Sequence, residues 1–272
     1  MNKDHKPQSK LSTSGFLDLL GVAQLGAHTS PFDPGYDPIT TESHIEQSGH
    51  LMSMLKISMA CWLVADEGAT RRKFSAAKRA GVGTVTGGGP FEIAVAQGRL
   101  QDYLDLCSDV GADRIECGAG FTDMDRSPRE MVSKAEARGL DVQFELGKKH
   151  GGTFDHETVS ELIAQGAEWL DAGAKQIVIE GREDASDVGL FNSDGSLNRD
   201  HADKFVEAFG LHRVIFEAPT KPSQFALLNH FGNEVELCNV RLEELLRVEI
   251  YRRGIHSDAF RIDKLRPKRP GQ

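Results

Sequence analysis

The stretch QIVIEGRE at residues 176–183 constrains this chain more than any other. Its centre, Ile177, Val178 and Ile179, is apolar on both faces, as in a strand buried between two layers. Charge begins where the strand stops. Three further runs repeat the arrangement: DRIECG with Glu116, DVQFELGKK with Glu145 followed by Lys148 and Lys149, and HRVIFEAP with Glu217. Four strands that each finish in a carboxylate imply one shared rim of acids, which is more than stability alone requires.

Between these runs lie helical patterns, so strands and helices alternate along the chain. Strands are expected at 54–59, 83–86, 114–117, 142–146, 176–180, 213–217 and 235–240, with helices at 66–80, 90–110, 128–138, 202–209, 223–231 and 242–253. Asp155 is the expected N-cap of a further helix that carries Val159, Leu162, Ile163 and Leu170. The apolar segment 16–22 reads as a first strand or a short helix. Residues 26–38, with three prolines, read as a long loop. Eight strands alternating with helices give a closed (β/α)8 TIM barrel, whose strand C-termini gather at one mouth. An open doubly wound sheet also alternates, but it keeps its outer strands far apart. We therefore expect a polar, mobile N-terminal arm at 1–14, a barrel domain at 15–260 and a basic C-terminal tail at 261–272.

A net charge of -9 argues against a nucleic-acid surface. No apolar run reaches the length of a membrane span, and the N-terminus is too polar for a signal peptide. Cys61, Cys107, Cys117 and Cys238 show no close CxxC pairing, which indicates neither a zinc site nor a disulfide framework. A cytoplasmic homo-oligomer acting on small molecules is the expectation, with no nucleic-acid or membrane partner.

Several carboxylates at one mouth repel each other unless a cation compensates, and Mg2+ is typically held by carboxylates, water and substrate oxygens. Glu116, Glu145 and Glu180 are the candidate ligands, against the plainer reading of salt bridges to neighbouring strands. Lys56, Lys148, Lys149 and Arg182 bring positive charge to the same rim. Arg182 suits a phosphate or carboxylate, and a lysine whose pKa is lowered can donate a proton. Gly87, Gly88 and Gly89 form a turn whose backbone N–H groups can approach a ligand, or simply a tight strand-to-helix connection.

From about residue 56 to 260 the chain resembles the phosphosulfolactate synthase family of coenzyme M biosynthesis, which also includes plant heat-stress-associated proteins. The resemblance rests on GGGPFE (87–92), IECGAG (115–120), FELGKK (144–149), IVIEGRE (177–183), GLFNSDG (189–195), VIFEAPTKPSQ (214–224) and RVEIYRRG with Asp258 beyond it. It implies a (β/α)8 barrel that binds phosphoenolpyruvate and Mg2+ and adds sulfite to C3, giving 2-phospho-3-sulfolactate. It also implies Lys149 as the acid that protonates C2, with Lys148 in reserve and Lys56 as a further catalytic lysine. Arg182 with Gly87, Gly88 and Gly89 would hold phosphate or sulfite, Glu217 and Asn239 would contact substrate, and Glu116, Glu145 and Glu180 would hold the metal. The front departs from the pattern. The family's Asp-Lys-Gly after the first strand is not visible, and its Gly-Trp-Gly after Lys56 is replaced. Two alternatives stay open: a related enzyme with another nucleophile or acceptor, and a non-catalytic stress or interaction protein.

Overall fold

Eight parallel strands close into a barrel in sequence order, with the last pairing the first. They are β1 (Thr29–Asp33), β2 (Leu55–Ile57), β3 (Thr84–Thr86), β4 (Arg114–Gly118), β5 (Asp141–Leu146), β6 (Gln176–Ile179), β7 (Val214–Glu217) and β8 (Glu236–Arg241). The structure is a computed structural model and describes residues 11–57, 59–122 and 126–268. Helices follow the strands, and the expected (β/α)8 barrel is what forms. The expected arm and basic tail fall partly outside the described residues, at 1–10 and 269–272. Among the described residues no helix is long and apolar enough to cross a membrane.

The front of the chain differs from expectation. Segment 16–22 supplies the helix Thr13–Leu19, which buries none of its residues. The first strand lies instead inside the proline-rich stretch, as Thr-Ser-Pro-Phe-Asp. Pro31 cannot donate to a ladder, and the register against β8 slips between Ser30 and Pro31, where a missing donor does no harm. A helix after β1 begins within the same proline-rich stretch. It spans Pro38–Ser48, with Asp37 accepting at its N-cap from Ile39 and Thr40 and Pro38 in its first turn. The long helical segment at 90–110 divides into Gly88–Ala96 and Leu100–Val110, interrupted at Gly98.

Strand alternation then sorts the side chains into two compartments. Outward residues pack under the helices: Phe144 stacks on Trp169 with ring centroids 4.1 Å apart, and Phe216 stacks on Phe231 at 5.2 Å. Inward residues one position away include Glu145 and Glu217. The apolar part of the lumen is small, formed by Val178, Ile215 and Cys238. Above it, toward the strand C-termini, the lumen is charged.

Arg252, from the last helix, joins the two ends of the strand order. It donates to the carbonyls of Asn233 and Val235 before β8, and to His28 O and Thr29 Oγ1 at β1. Glu249 balances it at 3.1 Å, and both side chains are buried.

Candidate active site

Five charged side chains, from β2, β4, β5, β7 and the residue just past β6, fill the upper lumen, each at most 4 % exposed as a residue: Lys56, Glu116, Glu145, Glu180 and Glu217. Lys149 leans over them from the loop after β5.

Lys56 and Glu116 form the first group. Their charged atoms are 2.7 Å apart, and Glu116 also accepts from Gly88 N at 3.1 Å and Gln143 Nε2 at 2.8 Å. Burial would raise the Glu116 carboxyl, but the Lys56 ammonium outweighs it and the net shift is downward. Lys56 in turn is raised well above its ordinary value, because Glu116 and Glu217 more than offset its burial. The Gly88 N–H is therefore engaged by a carboxylate of the barrel itself.

The second group is Glu145, Glu180 and Glu217, each offering an oxygen within 4.8 Å of the others. Burial raises all three carboxyls, and each is raised further by a neighbouring acid: Glu180 acts on Glu145, Glu217 on Glu180, and Glu145 on Glu217. Lys149 Nζ sits 3.1 Å from Glu145 Oε1 and 3.2 Å from Glu180 Oε2. Burial would lower this lysine, yet Glu145 and Glu180 prevail and raise it. The expected lowering of a donor lysine does not occur here; with these acids beside it, Lys149 is held protonated.

The remaining oxygens of Glu180 and Glu217 are used by backbone. Glu217 Oε2 accepts from Gly181 N at 2.9 Å and Arg182 N at 3.0 Å, and Glu180 Oε1 accepts from Arg182 N at 2.7 Å. Arg182 reaches this geometry with φ of 54°, and its side chain stays exposed. Asn239 bridges the two groups, accepting from Lys56 Nζ at 3.1 Å and donating to Glu217 Oε1. Lys148 points to solvent and lines, with His150, Gly120, Phe121 and Thr122, a cavity of ≈ 280 Å³ at the mouth.

Of the three acids read as metal ligands, Glu145 and Glu180 thus gather with Glu217, while Glu116 stands with Lys56. Four buried carboxyl groups face two ammonium groups, so the lumen holds more acids than cations, and a divalent cation would offset that surplus. The donor set is all oxygen, as hard cations require.

Three features escaped the sequence. Glu92, beside the glycine turn, is 1 % exposed and accepts from the loop after β4. Gln143 supports Glu116 from mid-strand. Asp33, at the end of β1, turns outward to Lys73 at 2.7 Å and accepts from Gly35 N and Tyr36 N. Asp33 is followed by Pro34 and Gly35, so the end of β1 carries an acid and a glycine but no lysine. The signal was the strand-terminal Asp itself, hidden by three prolines.

A closed parallel barrel with buried acids and lysines at its C-terminal mouth is the class that this fold and site define. Residues 26–258 match the family model described as (2R)-phospho-3-sulfolactate synthase (ComA), and the chain belongs to that family. The phosphosulfolactate synthase of Methanocaldococcus jannaschii is 30% identical over 85% of this chain and 93% of its own length. That of Bacillus subtilis is 26% identical over 69% of this chain and 75% of its own. Among solved structures, KGPDC from Streptococcus mutans shares the fold with a TM-score of 0.52 at 12% identity, over 82% of this chain and 90% of that one. A putative phosphonomutase from Burkholderia cenocepacia gives 0.52 at 12% identity, over 86% and 92%.

Proposed function

We propose that this chain is a phosphosulfolactate synthase that adds sulfite to C3 of phosphoenolpyruvate. The observation that carries the reading is Lys149: a protonated ammonium held over a cluster of buried carboxylates at the barrel mouth. Sulfite sulfur forms a bond to C3, the double-bond electrons move to C2 and the carboxylate, and C2 takes a proton from one face. Lys149 is the donor, kept protonated beside Glu145 and Glu180 before the metal binds.

Glu145, Glu180 and Glu217 would hold the metal, which we take to be Mg2+. When bound, it supplies positive charge against the second negative charge that develops on the substrate carboxylate. The exposed Arg182 guanidinium, with Lys148 and His150 along the neighbouring cavity, supplies contacts for the phosphate and sulfite anions. Lys56 and Asn239 keep Glu116 and Glu217 in place below. Four free cysteines fit a reducing cytoplasm.

Purified protein with Mg2+, phosphoenolpyruvate and sulfite is expected to yield a sulfonated phospholactate, read by phosphorus NMR and mass spectrometry. Absence of product together with absence of phosphoenolpyruvate binding would sink the reading. Lys149→Ala is expected to lower kcat by roughly 10²–10⁴-fold with the fold intact; full turnover in that variant would remove Lys149 as donor.

A further inference from the structure

Glu92 is a carboxylate at this mouth with one oxygen unused. It lies in the helix Gly88–Ala96, and its Oε2 accepts from Phe121 N at 2.9 Å, Thr122 N at 2.9 Å and Thr122 Oγ1 at 3.1 Å. That oxygen ties down the loop after β4. Its Oε1 is buried and has no hydrogen-bond partner among the described residues. Leaving a buried acceptor bare is unfavourable, so such an atom calls for a donor that arrives in another state of the site.

Lys149 is the donor within reach. A Cβ on Gly120 would stand 3.4 Å from Glu92 Oε1, 3.4 Å from Lys149 Cε and 3.1 Å from Lys149 Cγ. Glycine at 120 therefore keeps open the space that separates the two side chains. Gly118 does the same one step deeper, where a Cβ would lie 3.5 Å from Glu92 Oε1 and 3.6 Å from Glu145 Oε2. Meanwhile Lys149 N donates to Gly120 O at 3.0 Å, so the backbone stays anchored while the side chain turns.

We infer that Glu92 is a positioning residue that receives the Lys149 ammonium when a divalent cation takes over Glu145 and Glu180. The inference rests on the reading of Lys149 as proton donor. A dication and an ammonium repel strongly in a buried site, and the same carboxylate oxygens cannot serve both. Glu92 gives the displaced ammonium a second counter-charge inside the mouth, and so keeps the proton on one face of the substrate.

The test is a crystal structure of the full chain soaked in manganese chloride, with Mn2+ located by its anomalous signal. The expected result is Mn2+ among Glu145, Glu180 and Glu217, with Lys149 Nζ at hydrogen-bond distance from Glu92 Oε1. Mn2+ absent from the cluster, Nζ still on Glu145 and Glu180, or Nζ turned to solvent each overturns the inference. Glu92→Gln gives a second reading, since the amide oxygen still accepts from Phe121 and Thr122 while an NH2 replaces the free oxygen. It is expected to melt as wild type does and to keep its KM for phosphoenolpyruvate, with kcat reduced roughly tenfold or more. An undiminished kcat would leave Glu92 as a loop tether alone. If wild-type protein makes no sulfonated product, the soaked structure still decides this inference, and only the proposed reaction falls.

Discussion

Gly147 sets the position of the proton donor through its backbone. At φ of 119° it turns the chain just past β5, so that Lys149 folds back over Glu145 instead of running on into solvent. A Cβ there would stand 2.8 Å from Glu180 Cβ and 2.9 Å from Phe154 Cζ. Gly147→Ala is therefore expected to lose about 2 kcal/mol in urea unfolding, from overpacking and backbone strain together, and to lower activity as Glu180 is pushed aside. An alanine variant as stable as wild type would mean that this turn relaxes freely. At the same scale, Glu116, Glu145, Glu180 and Glu217 were legible because each ends an apolar run. Their division into two groups was not, since only closure of the barrel shows that Glu217 joins Glu145 and Glu180 while Lys56 holds Glu116.

Seven strands could be read from their β-branched runs to within a residue or two, because a barrel strand covered on its outer face must be apolar there. β1 could not. Its five residues include a proline, and it is recognisable only through pairing with β2 and β8. The last helix makes up for this irregular strand, since Arg252 bonds to both sides of the junction between β1 and β8. Arg252→Ala would remove the donor to the Val235 and His28 carbonyls and leave Glu249 with Arg253 as its remaining cation, and a loss of roughly 3 kcal/mol is expected by denaturant titration. A much smaller loss would mean that β1 is held by its ladder hydrogen bonds alone.

For the molecule as a whole, the lumen couples stability to pH and to metal. Glu145, Glu180 and Glu217 have folded-state carboxyls above the ordinary 4.5, first through burial and then through one another. Such groups bind protons more tightly folded than unfolded, so their contribution is full below pH 4.5 and declines as pH rises through the folded values. Glu116 runs the other way: Lys56 lowers it against burial, and its contribution is lost as pH falls. Glu116, lowered, is ionised at both pH values, whereas the three raised acids lose their contribution as pH rises, so metal-free protein is expected to melt at lower temperature at about pH 7 than at about pH 5, with His201, lowered by burial, acting in the opposite sense. Mg2+ at about a hundred times its Kd should restore roughly 2.7 kcal/mol at neutral pH. A flat melting profile that ignores Mg2+ would argue against metal binding in the cluster.

The Arg252 junction also bears on synthesis. Until residues 236–252 have left the ribosome, β1 and β7 are two open sheet edges, and unpaired edges are templates for strands of other chains. The interval between completion of β7 and emergence of Arg252 is thus the window in which this chain is most exposed to aggregation.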